Sequence, residues 1–501
     1  MPYGANMVGT MNSFEAQRFA RQVGFGWGPE EAEPADPLAW ALAQLDRAPP
    51  ARFLANRQGD VMPEVPAEAR LIHTQAEVAT AIQAHWDAEK ESFARSRALP
   101  RPEWEAMRYR TVDYPYWRLE PWKEVLVRGA MAVNGPAPVF ERFWHFWTNH
   151  FTVAPATNNI NTAIGPYQRM LRSRMEGSFR DMLFEAVTHP AMVLYLDNDR
   201  STGPRSKARR ERWSPDEINE NLGRELLELF TVSPAAGYTQ ADVLATTYIL
   251  TGWGVQRPDA WYKAGVPLGS RFNFDRHEPG SQTVMGKSYS AFVNNDGKLK
   301  DLVDDLAAHP ATAKHICSKL AVAFLADEPP PAAVQRLIDV FTRTRGDLPS
   351  LHKAVVQEVV RAGSSARKFQ NPETWLWTLF RVSGVPLQVV PPQRELRGER
   401  PHDILWELGQ PVHNCPQPNG WPLHSREWIS REMLDRRLRY AYQFAGRIPD
   451  GAAALRRQLQ RQLGPEHPLA QTVLAGMAPG SGHTVRSLWA AFFTSPEMLW
   501  S

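Results

Sequence analysis

The sequence has few of the residues and patterns that mark many common protein classes. Among its 501 residues there are 2 cysteines, Cys317 and Cys415, which form no CxxC pair and support neither a disulfide framework nor a zinc knuckle. No run of eighteen apolar residues occurs, so the sequence predicts no membrane span. The 57 basic and 54 acidic residues leave a net charge of +3, which gives no electrostatic argument for binding nucleic acid.

Several sequence motifs of large enzyme classes are also missing. The sequence contains no GxxxxGK or GxGxxG for holding phosphates, and no GxSxG or HExxH. The segment 1–13 has no basic stretch followed by an apolar one, which is the pattern of an export signal. From the sequence as it stands we therefore expect a soluble, cytoplasmic protein.

What the sequence does contain is a globular composition with many tryptophans. Hydrophobic residues make up 43% of the chain and charged residues 22%, and the apolar residues are spread along its whole length. The 18 tryptophans are an unusually large number for this length. This composition predicts a large folded core and excludes disorder for most of the chain.

Helical periodicity dominates the sequence and predicts an all-α fold, a single large multi-helix domain. The clearest helix start is Ser214-Pro215-Asp216-Glu217, a capping box with proline at the first helical position. The main predicted helices are 67–91, 122–133, 139–151, 167–188, 215–231, 240–251, 299–308, 311–325, 331–344, 351–362, 372–382, 426–445, 452–463 and 485–493.

One stretch, 252–290, departs from this pattern. It is rich in glycine, proline and aromatic residues, and 271–275 alternates with period two, so it predicts an irregular insert with a short β-hairpin. The expected organisation is an N-terminal segment, a main helical domain that carries this insert, a connector and a C-terminal helical segment packed on the main domain. Their predicted limits are 1–63, 64–383, 384–400 and 401–501.

The segment 141–151 holds the densest set of residues suited to chemistry. On a helix, Glu141, His145 and Asn149 share one stripe, whereas His150 lies about 140° from His145 among aromatic residues. The two histidines are therefore not expected to share one metal ion, and His150 is the better ligand or base. The alternative is a core histidine that is hydrogen-bonded to a carboxylate.

A second candidate lies on the helix 215–231. Glu225 projects close to the apolar stripe, and an unpaired carboxylate at the edge of a core needs a cation, a metal or a proton. Arg224 and Glu228 are four residues apart and can pair with each other, which leaves Glu225 for another role. A core arginine as the partner of Glu225 is the alternative.

Two further segments are weaker candidates. Asp275 and His277 are two residues apart on an extended stretch and so point the same way, as in many metal and acid–base sites. The loop 413–422 is stiff and polar, and either lines a pocket or is a simple Pro/Gly turn.

These segments, in this order, resemble the bacterial family catalogued as domain of unknown function 1800. The most specific strings are WTNHF at 147–151 and NENLGRELLEL at 219–229. The resemblance covers nearly the whole chain, and its stretches are 18–29, 143–153, 219–253, 272–286, 309–324, 409–422 and 494–498.

The resemblance implies little about activity, because the family has none established. Its members are commonly predicted to be secreted, which implies a periplasmic or secreted location in place of a cytoplasmic one. They often neighbour a second family that looks like phosphatases or sulfatases, which implies a possible partner. The motif positions carried over to this sequence are Asn149, His150, Asn221, Arg224, Glu225, Glu228, Asp242, Trp253 and His277.

Two functional hypotheses arise from the sequence. The first is a metal-dependent enzyme with an interior site between the helices 139–151 and 215–231, in which His150, Glu225 and His277 are catalytic. The alternative is a non-catalytic helical scaffold or binding protein, for a glycan or a partner protein, with a buried polar network. The enzyme's metal ligands would be His150, Glu225, Glu228 and His277, holding Fe, Mn or Zn, with Asn149, Asn221, Arg224 and Asp242 as the polar network.

Overall fold

The computed structural model describes residues 11–46, 54–55, 61–62, 120–155, 158–212, 218–255, 269–290, 297–387 and 400–501. The predicted helix 67–91, the capping box 214–217 and most of the predicted connector 384–400 lie outside these residues.

The described residues form an all-α fold with a small β insert, as predicted. Its helices are α1 Ser13–Val23, α2 Pro37–Ala43, α3 Glu120–Asn134, α4 Pro138–His150, α5 Asn158–Arg174, α6 Phe179–Thr188, α7 Pro190–Tyr195, α8 Lys207–Arg210, α9 Asn221–Glu228, α10 Gln240–Leu250, α11 Gly297–Ala308, α12 Pro310–Phe324, α13 Pro331–Arg343, α14 Leu348–Ala362, α15 Pro372–Ser383, α16 Pro401–Glu407, α17 Arg431–Phe444, α18 Gly451–Gln462, α19 Pro468–Gly476, α20 Val485–Phe493 and α21 Pro496–Leu499. No helix among the described residues is long and apolar enough to cross a membrane.

The strands form short antiparallel pairs. They are β1 Leu54–Ala55, β2 Val61–Met62, β3 Trp253–Val255, β4 Ser270–Phe272, β5 Gln282–Val284 and β6 Lys287–Tyr289, paired in the order β1–β2, β3–β4 and β5–β6. The last two pairs lie in the predicted insert, where Trp253 faces Phe272 and Gln282 faces Tyr289.

Several helices begin at a His-Pro pair. His189, His309 and His467 each precede the first helical proline, and the Nδ1 atom of each accepts a hydrogen bond from the backbone N–H two residues later, at 3.1–3.3 Å. Proline suits this position because the first helical N–H has no partner within the helix. These three histidines are therefore helix caps.

Two helices lie in the centre of the core. All residues of α15 are buried, and α4 is buried on nearly all of its faces, with Phe143, Trp144 and Trp147 among its least exposed residues. A helix that is surrounded on all sides must also bury its polar residues, and these need partners. The polar side chains of α4 and α15 are therefore the first place to look for a site.

The predicted helix 167–188 is wrong as a single element. The chain leaves the helix after Arg174 and starts a new one at Phe179, with Ser178 as the N-cap. In the turn, the N–H of Phe179 donates to the carbonyl of Gly346 at 2.8 Å, and the N–H of Leu348 donates to the carbonyl of Gly177 at 3.0 Å. A tertiary contact with the start of α14 thus replaces helical hydrogen bonds at this turn.

Candidate functional site

A cavity of about 40 Å³ lies beside α4, against the residues that lead into α15 and the segment 409–428. Its wall is polar although it lies in the core, whereas dry cavities in proteins are lined by apolar groups. The polar residues of the wall are Arg128, Arg142, His145, Thr148, Asn149, Thr152, Gln168, Lys368, Asn371, Glu373, Gln410 and His413.

A buried ion pair forms one side of this wall. Arg128 on α3 donates from Nε to Oε1 of Glu373 at 2.5 Å and from Nη2 to Oε2 at 3.0 Å. Arg128 also donates to the hydroxyl of Thr148, and the indole of Trp377 donates to Glu373 at 3.3 Å. This bidentate geometry pairs the two charges and joins α3, α4 and α15.

Arg142 on α4 is the cation of the wall that has no acidic partner. Arg142 is half-buried, its Nε has no hydrogen-bond partner among the described residues, and its guanidinium carbon lies 5.2 Å from the centre of the Phe324 ring. The other two cations are paired, since Arg128 binds Glu373 and Lys368 binds Asp327. Burial lowers the pKa of Arg142 to about 10, with Glu373 opposing the shift, so the group stays charged at neutral pH.

Two neutral histidines face the same cavity. His145 is 3% exposed and neither ring nitrogen has a hydrogen-bond partner among the described residues, although Nδ1 lies 3.5 Å from Glu373. His413 is 2% exposed, and its Nδ1 accepts from the Gln168 amide at 2.9 Å, so that Nε2 is a donor without a described partner. Burial and the charge of Arg128 hold the pKa of both histidines well below the usual value.

Asn149 fastens the segment 409–428 to α4. Its Nδ2 donates to the carbonyl of Trp421 at 2.9 Å, and its Oδ1 accepts from the N–H of Trp421 at 2.7 Å. The preceding residue, Gly420, has φ +78°, and a Cβ there would lie 2.2 Å from the carbonyl oxygen of Asn149. The backbone of this loop therefore lies so close to the end of α4 that only glycine fits at position 420.

His150 lies on another side of α4 and does not line this cavity. Its Nδ1 is 3.0 Å from Nζ of Lys319 on α12, and its ring contacts Phe146, Trp147 and Phe230. Burial holds the pKa of His150 well below the usual value, and the charge of Lys319 adds to this shift. His150 is therefore a neutral acceptor for the amine of Lys319.

Glu225 is partly buried on α9 and its carboxylate has no hydrogen bond to a described residue. Burial raises its pKa to about 7, the neighbouring Glu228 adds to the shift, and Arg224 opposes it. The expected pairing of Arg224 with Glu228 is wrong: Arg224 binds Glu220 at 3.1 Å, one turn earlier on the chain. Its Nη2 also reaches Gln240 at 2.9 Å, and Glu228 accepts instead from Tyr238 at 3.1 Å.

His277 and Asp242 hold the β insert against α10. Nδ1 of His277 donates to the carbonyl of Thr251 at 2.7 Å, while Asp242 accepts from the N–H of Met285 at 2.6 Å and caps α10. Burial lowers the pKa of His277 to about 4. Asn221 is exposed at the start of α9, where its N–H donates to Asn219.

The predicted metal ligands do not form one coordination site. In the part of the chain that the structure describes, no three His, Cys, Asp or Glu side chains converge in the way that a metal ion requires. His150 is bonded to Lys319, Glu228 to Tyr238 and His277 to Thr251. The described residues therefore do not fit a metal, and we assign no metal ligand among them.

Comparison with known proteins places the chain in a family. A family model described as a protein of unknown function, DUF1800, matches residues 18–500. The chain belongs to the DUF1800 family. No curated protein and no solved structure matches it.

The cavity of this DUF1800 protein is formed largely by residues that no sequence pattern singles out. Arg128 and Glu373 look like ordinary helix residues in the sequence, and they meet only because α3 and α15 pack together. Two sequence signals point to it: the stripe of Glu141, His145 and Asn149, of which the last two line the cavity, and the loop 413–422, which contributes His413 and Trp421. Glu141 lies further along that stripe and pairs with Arg172 in the core.

Proposed function

We propose that this DUF1800 protein is an enzyme or receptor for a small molecule that carries a carboxylate or phosphate group, bound in the cavity beside α4. The observation that carries the proposal is the guanidinium of Arg142. It is a half-buried cation with no acidic partner among the described residues, in the wall of a polar cavity.

The physical argument is the cost of burying charge. A cation that loses part of its water and gains no anion is destabilised, and an anion bound beside it reduces this cost. Arginine suits this task because its planar fork binds the two oxygens of a carboxylate or phosphate together. A cavity of about 40 Å³ has room for roughly three water-sized groups, which is the size of one carboxylate.

The two histidines add donors and a base. Nε2 of His413 donates, and a neutral His145 provides one donor and one acceptor. A neutral imidazole beside a bound anion can accept a proton at its free ring nitrogen and return it later. In the enzyme form of this proposal, His145 is the proton carrier.

A scaffold function is favoured by a different observation. The pairs Arg128–Glu373 and Arg172–Glu141 are closed and fully buried, as in a polar network that fixes how helices pack. Such a network leaves no group without a partner, whereas Arg142, His145 and His413 have polar atoms with none among the described residues. The ligand site accounts for these atoms and the scaffold does not.

Binding of phosphate and of small carboxylates to the full chain tests the proposal. We expect phosphate, acetate or succinate to raise the melting temperature of the wild type, and Arg142→Met to weaken this binding at least about tenfold. Arg367→Met is the matched control, because Arg367 is exposed and its loss changes the net charge equally. No stabilisation by any of these anions, or equal losses in both variants, would overturn the anion site.

A further inference from the structure

A second cleft lies beside the same segment, 409–428, and shares Trp421 and Leu423 with the wall of the cavity. It has a volume of about 400 Å³ and is open to solvent. Helix α12 contributes His315 and Lys319, and the facing loop contributes Asn419, His424 and Glu427. The cleft contains none of Arg142, His145 and His413, so its chemistry can be tested separately from the proposed anion site.

Lys319 is held in this cleft without an anionic partner. Its Nζ lies 3.0 Å from Nδ1 of His150, and no carboxylate among the described residues lies within ion-pair distance of it. Lysines normally keep the amine in water or beside a carboxylate, because an isolated buried ammonium is costly. Because Lys319 is half-buried, its position stabilises the neutral amine more than an exposed position would, although the ammonium still predominates at pH 7.

The histidines around Lys319 do not supply the missing negative charge. His315 lies on the same helix and its Nε2 is bonded to the carbonyl of Leu229 at 3.0 Å. Burial lowers the pKa of His315 to about 4, and His150 is neutral for the same reason. Across the cleft, Glu427 is exposed and pairs with Arg426 at 3.1 Å, and His424 is exposed as well.

The surroundings thus favour a reactive amine. Burial lowers the pKa of Lys319 to about 8. At pH 7 about a tenth of such an amine is neutral, compared with about one part in three thousand for an ordinary lysine. Desolvated lysines with lowered pKa are the nucleophiles that form Schiff bases in enzymes.

We propose that Lys319 is a nucleophile that forms a Schiff base with a small aldehyde or ketone entering this cleft, and that His150 relays the proton. The amine lone pair forms a bond to the carbonyl carbon, and the π electrons move to the oxygen. One amine proton passes by way of Nδ1 of His150 to that oxygen, giving a carbinolamine. The second N–H proton then leaves with the hydroxyl group as water, and the C=N bond forms, so that no oxidant or reductant is required.

The test is to trap the Schiff base on the intact wild-type chain. The protein is incubated with a low concentration of propanal or of pyruvate at pH 7, reduced with borohydride, and each lysine is quantified by peptide mass spectrometry. Lys314 is the internal control, because it lies on the same helix and is exposed. We expect Lys319 to be modified roughly tenfold faster than Lys314 or more, with a midpoint near pH 8 rather than above 10.

Three variants separate a reactive amine from one that is merely accessible. Lys319→Arg keeps the positive charge and abolishes the adduct, whereas Lys314→Arg leaves it unchanged. His150→Gln keeps a neutral acceptor but cannot relay a proton, and we expect it to slow adduct formation several-fold. In the wild type alone, modification of Lys319 no faster than Lys314, or with the same pH midpoint, would overturn the proposal.

Discussion

Replacing Glu373 by glutamine removes the negative charge from the most buried ion pair of the cavity wall while keeping the size of the side chain. Arg128 then remains buried with only neutral acceptors, and Arg142 loses the carboxylate that opposes the lowering of its pKa. We expect Glu373→Gln to lower the free energy of unfolding strongly, because an uncompensated buried charge is costly.

The loss of unfolding free energy can be estimated from the geometry of the Arg128–Glu373 ion pair. Charge centres about 4 Å apart interact by about 4 kcal/mol at an effective dielectric constant near 20, and loss of one partner of a buried pair typically costs about 3–5 kcal/mol. The side chains of Arg128 and Glu373 are 2% and 6% exposed, so solvent screens the pair little. The exposed pair of Arg174 and Glu185 is the matched control, and Glu185→Gln should cost at most about 1 kcal/mol.

Urea unfolding followed by tryptophan fluorescence measures these differences. The double variant Arg128→Met/Glu373→Gln removes both charges and should recover most of the loss seen with Glu373→Gln alone. Two outcomes would refute this account of the cavity wall. One is a loss of unfolding free energy below about 1 kcal/mol for Glu373→Gln. The other is a double variant whose loss equals the sum of the losses of the two single variants within about 0.5 kcal/mol.

Two other predictions concern ionisable groups elsewhere in the fold. The pKa of Glu225 is raised to about 7, so its contribution to stability is fully present below about pH 4.5 and is lost as the pH rises through 7. Relative to Glu225→Gln, the wild type should lose about 1–2 kcal/mol of unfolding free energy over that pH range, a figure reduced because solvent screens the half-exposed carboxylate. Parallel pH profiles of the melting temperature for the wild type and Glu225→Gln would contradict this. Arg437 is 1% exposed and makes no hydrogen bond to a described residue, and its guanidinium carbon lies 4.7 Å from the ring centre of Phe369. Arg437→Met should therefore leave the melting temperature unchanged or raise it, and a loss above about 2 kcal/mol would show that the aromatic contact outweighs the burial cost.

The sequence predicts helices well where their ends depend on local chemistry. Helix α4 is expected at 139–151 and is found at Pro138–His150, because proline and the preceding Gly-Pro break fix its start. The predicted 167–188 helix is wrong for the opposite reason. Its interruption depends on hydrogen bonds from 177–179 to 346–348, and no local pattern reveals a partner that far along the chain.

The residues of the candidate site likewise divide into those that local sequence patterns predict and those that depend on distant contacts. Helical geometry correctly separates His145 from His150, and both are buried, on different sides of α4. The sequence favours His150 because it lies among aromatic residues, but it gives no sign of Lys319 as its neighbour. That Arg142 lacks a partner while Arg128 has one also depends on contacts between residues 245 positions apart.

The clamp between Asn149 and Trp421 has a consequence for how the protein is made. These two residues are 272 positions apart, so at the usual speed of translation α4 leaves the ribosome roughly 15–50 s before its clamp exists. During that interval the end of α4 at Asn149 lacks the loop that covers it, although aromatic residues of α4 already have partners such as Phe179 and Phe324. A pause in synthesis before the last hundred residues should therefore lengthen the time for which this end of α4 is uncovered and increase aggregation of the chain.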